Sequence, residues 1–447
     1  MKNIPDESYN YIKKNINILP NDNIKKTDKD NKQIILTEST QTQIKHEFKK
    51  KIFFSNSYKI IFIIFYFPII ILLETFYRDY LFQKSIPFQE KIHKDGKNNN
   101  ILIFCKIISI FGGEISTLFL FGIIFLFMPL NYSFLLLQGT VYSSYLTNTL
   151  KMIYQSDRPN WHSDYLTFSC NYGYGNPSGH SLTSIVLYLS LSHILIHYYK
   201  IKGVIKIIIF NFFIIFSLLI VISRVILAVH SINQVIYGLT LGLGLYYLLI
   251  FILGYHKYSS FDFLQHIRKK KVYYSYYFIH LFLLIFAILI YIIIKPKDTT
   301  NIEDNIFNGI RCAIKNSYAK YKNDGLFQSL SITSIIGAQF GMNMLLKVLK
   351  KQNFMINVSM IEWNKSKDKK KIFLRIPIIF ISSIGIILYY IVPEDFNLIF
   401  IFIFKSAIPF FLGMLGIHFI GIYMCIHLKI GNNDIYKMDV LHEITAN

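Results

Sequence analysis

Cysteine is scarce, with four residues in a chain of 447. They are too few and too scattered for a disulfide framework or a zinc site. Charge is scarce as well. Charged residues make up 16% of the chain, where a soluble protein carries about a quarter. Acidic residues are the rarer sign, 26 against 47 basic, which leaves a formal net charge of +21. Hydrophobic residues reach 53% and the mean hydropathy is +0.39. These shortages exclude an ordinary soluble globular protein, a disordered protein and a disulfide scaffold. Nucleic-acid binding is the usual first meaning of a basic chain. Here no basic stripe lies on a soluble module, and the abundant Ile, Lys, Asn, Tyr and Phe all have AT-rich codons. The expected surroundings are a lipid bilayer, with no nucleic acid as partner.

The apolar runs bear this out. Residues 1–56 hold eleven Lys and seven acidic residues and no long apolar run. They read as a polar, mostly disordered cytoplasmic tail without the build of a secretory signal. A membrane span needs about 20 mostly apolar residues. Ten candidates follow, near 57–77, 114–130, 133–152, 181–199, 204–222, 231–253, 272–294, 325–346, 376–393 and 406–428. The piece at 101–111 is short, carries Lys106 and reads as interfacial. Open sheets cannot hide their backbone groups in lipid, so the spans are expected to be helices. The predicted fold is therefore an all-α, multi-pass integral membrane protein.

Loop charge sets the orientation. With the tail in the cytoplasm, the loops 200–206, 254–271 and 347–375 fall on the same side, the last with nine basic residues. The loop 394–396, on the other side, has only Glu394 and Asp395. The stretch 78–97, with five basic residues, is the exception. Cys170 and Cys312 share the non-cytoplasmic side in this scheme, where a disulfide can form.

Three polar stretches interrupt the apolar background: Lys151–Pro159 (KMIYQSDRP), Asn176–His180 (NPSGH) and Ser223–Gln234 (SRVILAVHSINQ). The first leaves the third span, the second opens the fourth, and the third joins the fifth to the sixth. All three belong to one face of the membrane, whichever way the chain inserts. Lys151 and Arg158 are seven apart, about two helical turns, and Pro159 disfavours helix at Arg158. Arg158 and Arg224 suit the oxygens of a phosphate, with Lys151 as a point charge. Pro177-Ser178-Gly179-His180 reads as a turn into a helix start, where free N–H groups favour an anion. His180 and His230 supply an acid and a nucleophile that titrate near neutrality. Gln234, one turn beyond His230, can fix its tautomer or simply bond to backbone. His193, His197, His280 and His418 read as helix-to-helix hydrogen-bonding groups, and Asp157 and Asp164 as solvated loop charges.

The three stretches resemble the signature of the type 2 phosphatidic acid phosphatase and vanadium haloperoxidase superfamily: K-x6-R-P, then P-S-G-H, then S-R-x5-H-x3-D. Lys151, Arg158, Pro159, Pro177, Ser178, Gly179, His180, Ser223, Arg224 and His230 match it. K-x6-R-P alone arises by chance in about 5% of chains this long, so the ordered set carries the weight. Gln234 departs, because the family pattern has Asp there. The glucose-6-phosphatase branch is similar at this position, and Trp161, Cys170, Gly173 and Gly175 lean the same way.

The resemblance covers residues 57–253. It implies a six-helix phosphatase bundle and says nothing of residues 254–447, where the apolar runs predict about four additional transmembrane helices of unknown role. It also implies that Lys151, Arg158, Ser178, Gly179 and Arg224 hold phosphate. His230 is then the nucleophile that forms a phosphohistidine, and His180 protonates the leaving oxygen. No metal or other cofactor is implied. The implied substrate is a lipid phosphate monoester or diphosphate, handled on the lumenal or outer face of an endomembrane such as the endoplasmic reticulum. Two alternatives stay open: a soluble sugar phosphate as substrate, and a catalytically silent membrane scaffold. A transporter is suggested only by the number of spans, and no paired broken helices support it.

Overall fold

The computed structural model describes residues 24–25, 35–36, 38–94, 99–113, 117, 120, 130–163, 165–166, 168–169, 173–254 and 270–294, with scattered residues between 329 and 412. The chain divides into two units, Met1–Tyr66 and Phe67–Asn447. In the first, β1 (Ile24–Lys25) pairs antiparallel with β2 (Ile35–Leu36), Ile24 opposite Leu36, and helix α1 opens at Glu38. Apart from that pair, the described residues are all-α.

Helix α1 runs Glu38–Lys94, through Pro68 and Pro87. The span expected near 57–77 lies inside it, and so does most of 78–97, which the charge count had made a loop. Helix α2 is Asn99–Ile110, the short apolar piece read as interfacial. Helix α3, Leu130–Tyr154, begins after Pro129 and stops where Gln155 turns to positive φ (43°). Helices α4 (Gly179–Tyr198), α5 (Gly203–Ile226), α6 (Ile232–Tyr247) and α7 (Lys270–Ile293) follow. A π-helical turn, Leu248–Leu253, extends α6, and Gly254 closes it in the left-handed conformation (φ 60°). Among the described residues, four helical segments are long and apolar enough to cross a membrane: Gly179–Tyr198, Gly203–Ile226, Ile232–Leu253 and Lys270–Ile293. They match four of the expected spans, and α3 covers a fifth. The spans read at 114–130, 325–346, 376–393 and 406–428 lie wholly or mostly outside the described residues.

Helix α4 is the axis of the second unit. Two thirds of its apolar window is buried, against 17% for α5. It packs on α3, α5 and α6 around Leu182, Ile185, Val186, Leu189 and Ile194. Helix α5 turns a face of Ile205, Ile208, Phe212, Ile215 and Ile222 outward, as a lipid-facing helix must. Gly238 and Gly242 of α6 form a G-x-x-x-G pair, the small-residue device for close helix approach. A Cβ on Gly238 would lie 2.5 Å from the Ser178 carbonyl oxygen, and one on Gly242 2.8 Å from that of Leu182. The glycines thus let α6 lie directly against the start of α4, which carries the P-S-G-H turn.

Helix α7 is joined to α3 by polar contacts in one register. Gln138 donates to the Tyr276 hydroxyl, the Tyr142 hydroxyl pairs with His280 Nε2 at 2.9 Å, and the Tyr145 hydroxyl donates to the Leu283 carbonyl at 2.7 Å. Gln138 also donates to Gln339 at 2.8 Å. His280 is fully buried and bonds between helices, as does His197, whose Nδ1 lies 3.0 Å from the Tyr132 hydroxyl. His193 stands edge-on to Phe251.

Candidate active site

The site lies where α3 ends, α4 begins and α5 passes to α6. Lys151 occupies the last turn of α3. Arg158 is extended (φ −102°, ψ 151°), the conformation that Pro159 imposes on the residue before it. Its guanidinium turns back into the protein and is buried. Nε donates to the Gly173 carbonyl, Nη2 to Tyr174 O at 3.1 Å, and Nη1 to Val229 O at 2.8 Å. Nη1 also lies 3.3 Å from His230 Nε2. Arg158 therefore ties the loop before Pro177 to the loop carrying His230, and spends three donors doing so.

Arg224 is the freer cation. One nitrogen donates to Ser109 Oγ, and its buried Nε has no partner among the described residues. Burial and then Arg224 pull the Arg158 guanidinium down to about 9. The same surroundings hold His230 well below its ordinary 6.5. Burial contributes most, followed by Arg158, Arg224, Lys151 and His180. Among the described residues, every charge acting on His230 is thus positive. Cations gathered away from water with no carboxylate among them form a receptor for an anion.

Gln234 resolves its two readings by serving both. Ser231 and Gln234 stand at the first and fourth positions of a capping box. Gln234 Oε1 accepts from Ser231 N at 3.3 Å and lies 3.2 Å from His230 Nδ1. Its Nε2 donates to Asp157 O at 2.6 Å. An acceptor at Nδ1 keeps the proton there and leaves the Nε2 lone pair facing Arg158. The amide fits only because residue 175 is Gly, whose Cβ would stand 2.4 Å from Gln234 Nε2 and 2.5 Å from Oε1.

Ser178 is fully buried and works as a helix cap. Its Oγ accepts from Ser181 Oγ at 2.9 Å, and its N–H donates to Gln234 O at 2.9 Å. Gly179 and His180 open α4, where N–H groups have no carbonyl within the helix to bond. A Cβ on Gly179 would touch Thr147 Cγ2 at 3.1 Å. His180 is half-buried, and Arg224, Lys151 and Arg158 all act on it electrostatically. Asp157 pairs with His162 at 3.1 Å. Asp164, Cys170 and Cys312 lie outside the described residues.

Sequence reasoning missed the support from α1. Gln89 Nε2 donates to Val225 O at 3.0 Å and to His230 O at 2.8 Å, so one amide holds both ends of the loop from Arg224 to His230. Ser85 Oγ accepts from Ile232 N at 2.9 Å, and His93 Nε2 lies 3.0 Å from Ile226 O. Glu74 accepts from Asn176 at 2.7 Å and forms a forked ion pair with Arg78. Arg78 in turn lies over the Tyr154 ring at 4.5 Å. Gln89, His93 and Ser85 reach backbone groups, which leave no mark in a sequence.

The search of curated proteins and the search of solved structures each find no match. The family model described as PAP2 superfamily matches residues 131–258, the segment holding all three polar stretches. That match supports phosphatase activity on phosphate esters, in a bilayer environment. The chain's likeness to the PAP2 superfamily thus lies in residues 131–258.

Proposed function

We propose that this chain is a membrane phosphatase that hydrolyses a lipid phosphate, monoester or diphosphate, through a phosphohistidine on His230. The observation that carries the reading is the group of half-buried Lys151 and buried Arg158 and Arg224 around His230, whose ring is set by Gln234. The phosphate oxygens lie against Arg224, Lys151, the remaining N–H groups of Arg158 and the opening of α4 at Gly179 and His180. The His230 Nε2 lone pair attacks phosphorus. The bond to the leaving oxygen breaks, and His180 gives that oxygen its proton. His180, now neutral, takes a proton from water as the water attacks phosphorus and releases His230. The cations neutralise charge that builds on the phosphoryl oxygens in both steps.

A lipid substrate is favoured by position. Ile222 is half exposed on the lipid-facing side of α5, two residues before Arg224. Loop charge puts this face on the lumenal or outer side of the membrane. The test is phosphate release by purified protein beside His230→Ala, on phosphatidate, a sphingoid-base phosphate, an isoprenyl diphosphate and glucose 6-phosphate. Release from a lipid that His230→Ala abolishes supports the proposal. A preference for glucose 6-phosphate transfers the site to sugar phosphates. Folded wild-type protein that releases nothing makes the chain a silent scaffold.

A further inference from the structure

The turn that follows α2 reaches the same site from a part of the chain outside the PAP2 match. Phe111, Gly112 and Gly113 bond back to Ile108, Ser109 and Ile110, each at 3.1 Å. The Tyr188 hydroxyl donates to Phe111 O at 2.7 Å, which fixes the turn to the middle of α4. Ser109, at its start, accepts the bond from Arg224. At its end, an added Cβ on Gly113 would lie 3.5 Å from His180 Nε2. One short turn therefore runs from the phosphate-binding cation to the group assigned to protonate the leaving oxygen.

The two glycines differ in what their missing side chains allow. A Cβ on Gly112 would come within 2.7 Å of Ile220 Cγ2, so packing against α5 demands a glycine there. Among the described residues, no side chain crowds Gly113 in that way. Its φ is not among the positive ones, and the nearest packing atom would be Ile110 O at 3.3 Å, followed by His180 Nε2. Among the described residues, the space beside Gly113 faces the acid.

We propose that Gly113 is a specificity-determining residue, and that the Phe111–Gly113 turn is the wall against which the leaving alcohol departs. The vacancy admits an alcohol branched at its second carbon, such as a glycerolipid or the C6 hydroxymethyl end of a hexose. A methyl group there would crowd that branch and spare an unbranched chain. This rests on the phosphatase reading above, and on His180 as its acid.

The test compares Gly113→Ala with wild type on substrates that share the phosphate and differ in branching. Octyl phosphate has an unbranched leaving group. Dioctanoyl phosphatidate and glucose 6-phosphate are both branched at the second carbon, so the test holds for either substrate branch. One misplaced methylene is worth about 10- to 200-fold in discrimination. Gly113→Ala is expected to lose tenfold or more in kcat/KM on the branched substrates while keeping octyl phosphate turnover within about threefold of wild type. Retained octyl phosphate turnover also shows that the variant folds. Gly112→Ala is expected to lower the melting temperature instead, with equal losses on all substrates. Equal losses on branched and unbranched substrates in Gly113→Ala, or no loss on either, would overturn the proposal. Wild-type protein inactive on all three would remove the phosphatase reading itself, and this proposal with it.

Discussion

Gly175→Ala tests the tautomer control of His230 without touching either His230 or Gln234. The new Cβ would stand 2.4 Å from Gln234 Nε2, 2.5 Å from Oε1 and 2.7 Å from Cδ. Non-bonded heavy atoms need about 3.5 Å, so the amide must move by about an ångström. Three contacts hold it in place: Ser231 N and His230 Nδ1 at Oε1, and Asp157 O at Nε2. At about 1 kcal/mol net for each hydrogen bond, displacement costs about 3 kcal/mol, shared between stability and the transition state. Loss of such an orienting partner elsewhere costs about 10- to 100-fold in activity. The expected result is a fall of that size in kcat, a small change in KM and a lower melting temperature. The assay is steady-state phosphate release beside thermal unfolding in detergent. The decisive protein is the double variant Gly175→Ala, Gln234→Ala. If Gly175 acts through the amide, the double is no worse than Gln234→Ala alone. Additive losses, or a Gly175→Ala variant with full activity, would refute the reasoning.

Three further predictions use other parts of the site. Gln234→Glu puts a carboxylate beside a histidine that burial and three cations hold below its ordinary value. The His230 pKa should rise. The acid limb of the kcat/KM profile should move to higher pH, because the nucleophile must be neutral; an unmoved limb contradicts the assignment. Gln89→Leu leaves the Val225 and His230 carbonyls without their shared donor. It should cost about tenfold or more in kcat, and phosphate release with an unchanged vanadate inhibition constant would separate positioning from binding. Tyr142→Phe and His280→Phe each remove one partner of a part-buried pair between α3 and α7. Each should cost about 0.5–2 kcal/mol. Unfolding in detergent should show that the double variant loses less than the sum.

The gathering of the site's residues was legible because each announces itself by residue type and spacing. Arg158 extended before Pro159, the Pro177–His180 turn opening α4, and Gln234 one turn from His230 all stand as local rules predicted. The supports were not legible, for two physical reasons. Gln89, Ser85 and His93 bond to backbone groups, so nothing in the partner sequence pairs with them. Gly175 and Gly113 act by the space they leave, and the sequence shows a glycine without showing what faces it. The stretch 78–97 misled because its basic residues read as a loop. Instead α1 continues to Lys94 with polar groups directed to the ends of α3, α5 and α6. Likewise, charge and hydropathy make Lys270–Ile293 an ordinary span, while the Gln138–Tyr276, Tyr142–His280 and Tyr145–Leu283 contacts tie it to the helix that carries Lys151.

The central claim is a covalent phosphoryl group on His230. It is tested most directly by mixing the protein with radiolabelled phosphatidate, quenching within milliseconds and mapping label on the denatured chain. The account predicts a phosphoenzyme that is stable to alkali, labile to acid, carried by the peptide containing His230 and absent from His230→Ala. Rapid turnover with no trapped label, or label that persists in His230→Ala, would contradict it.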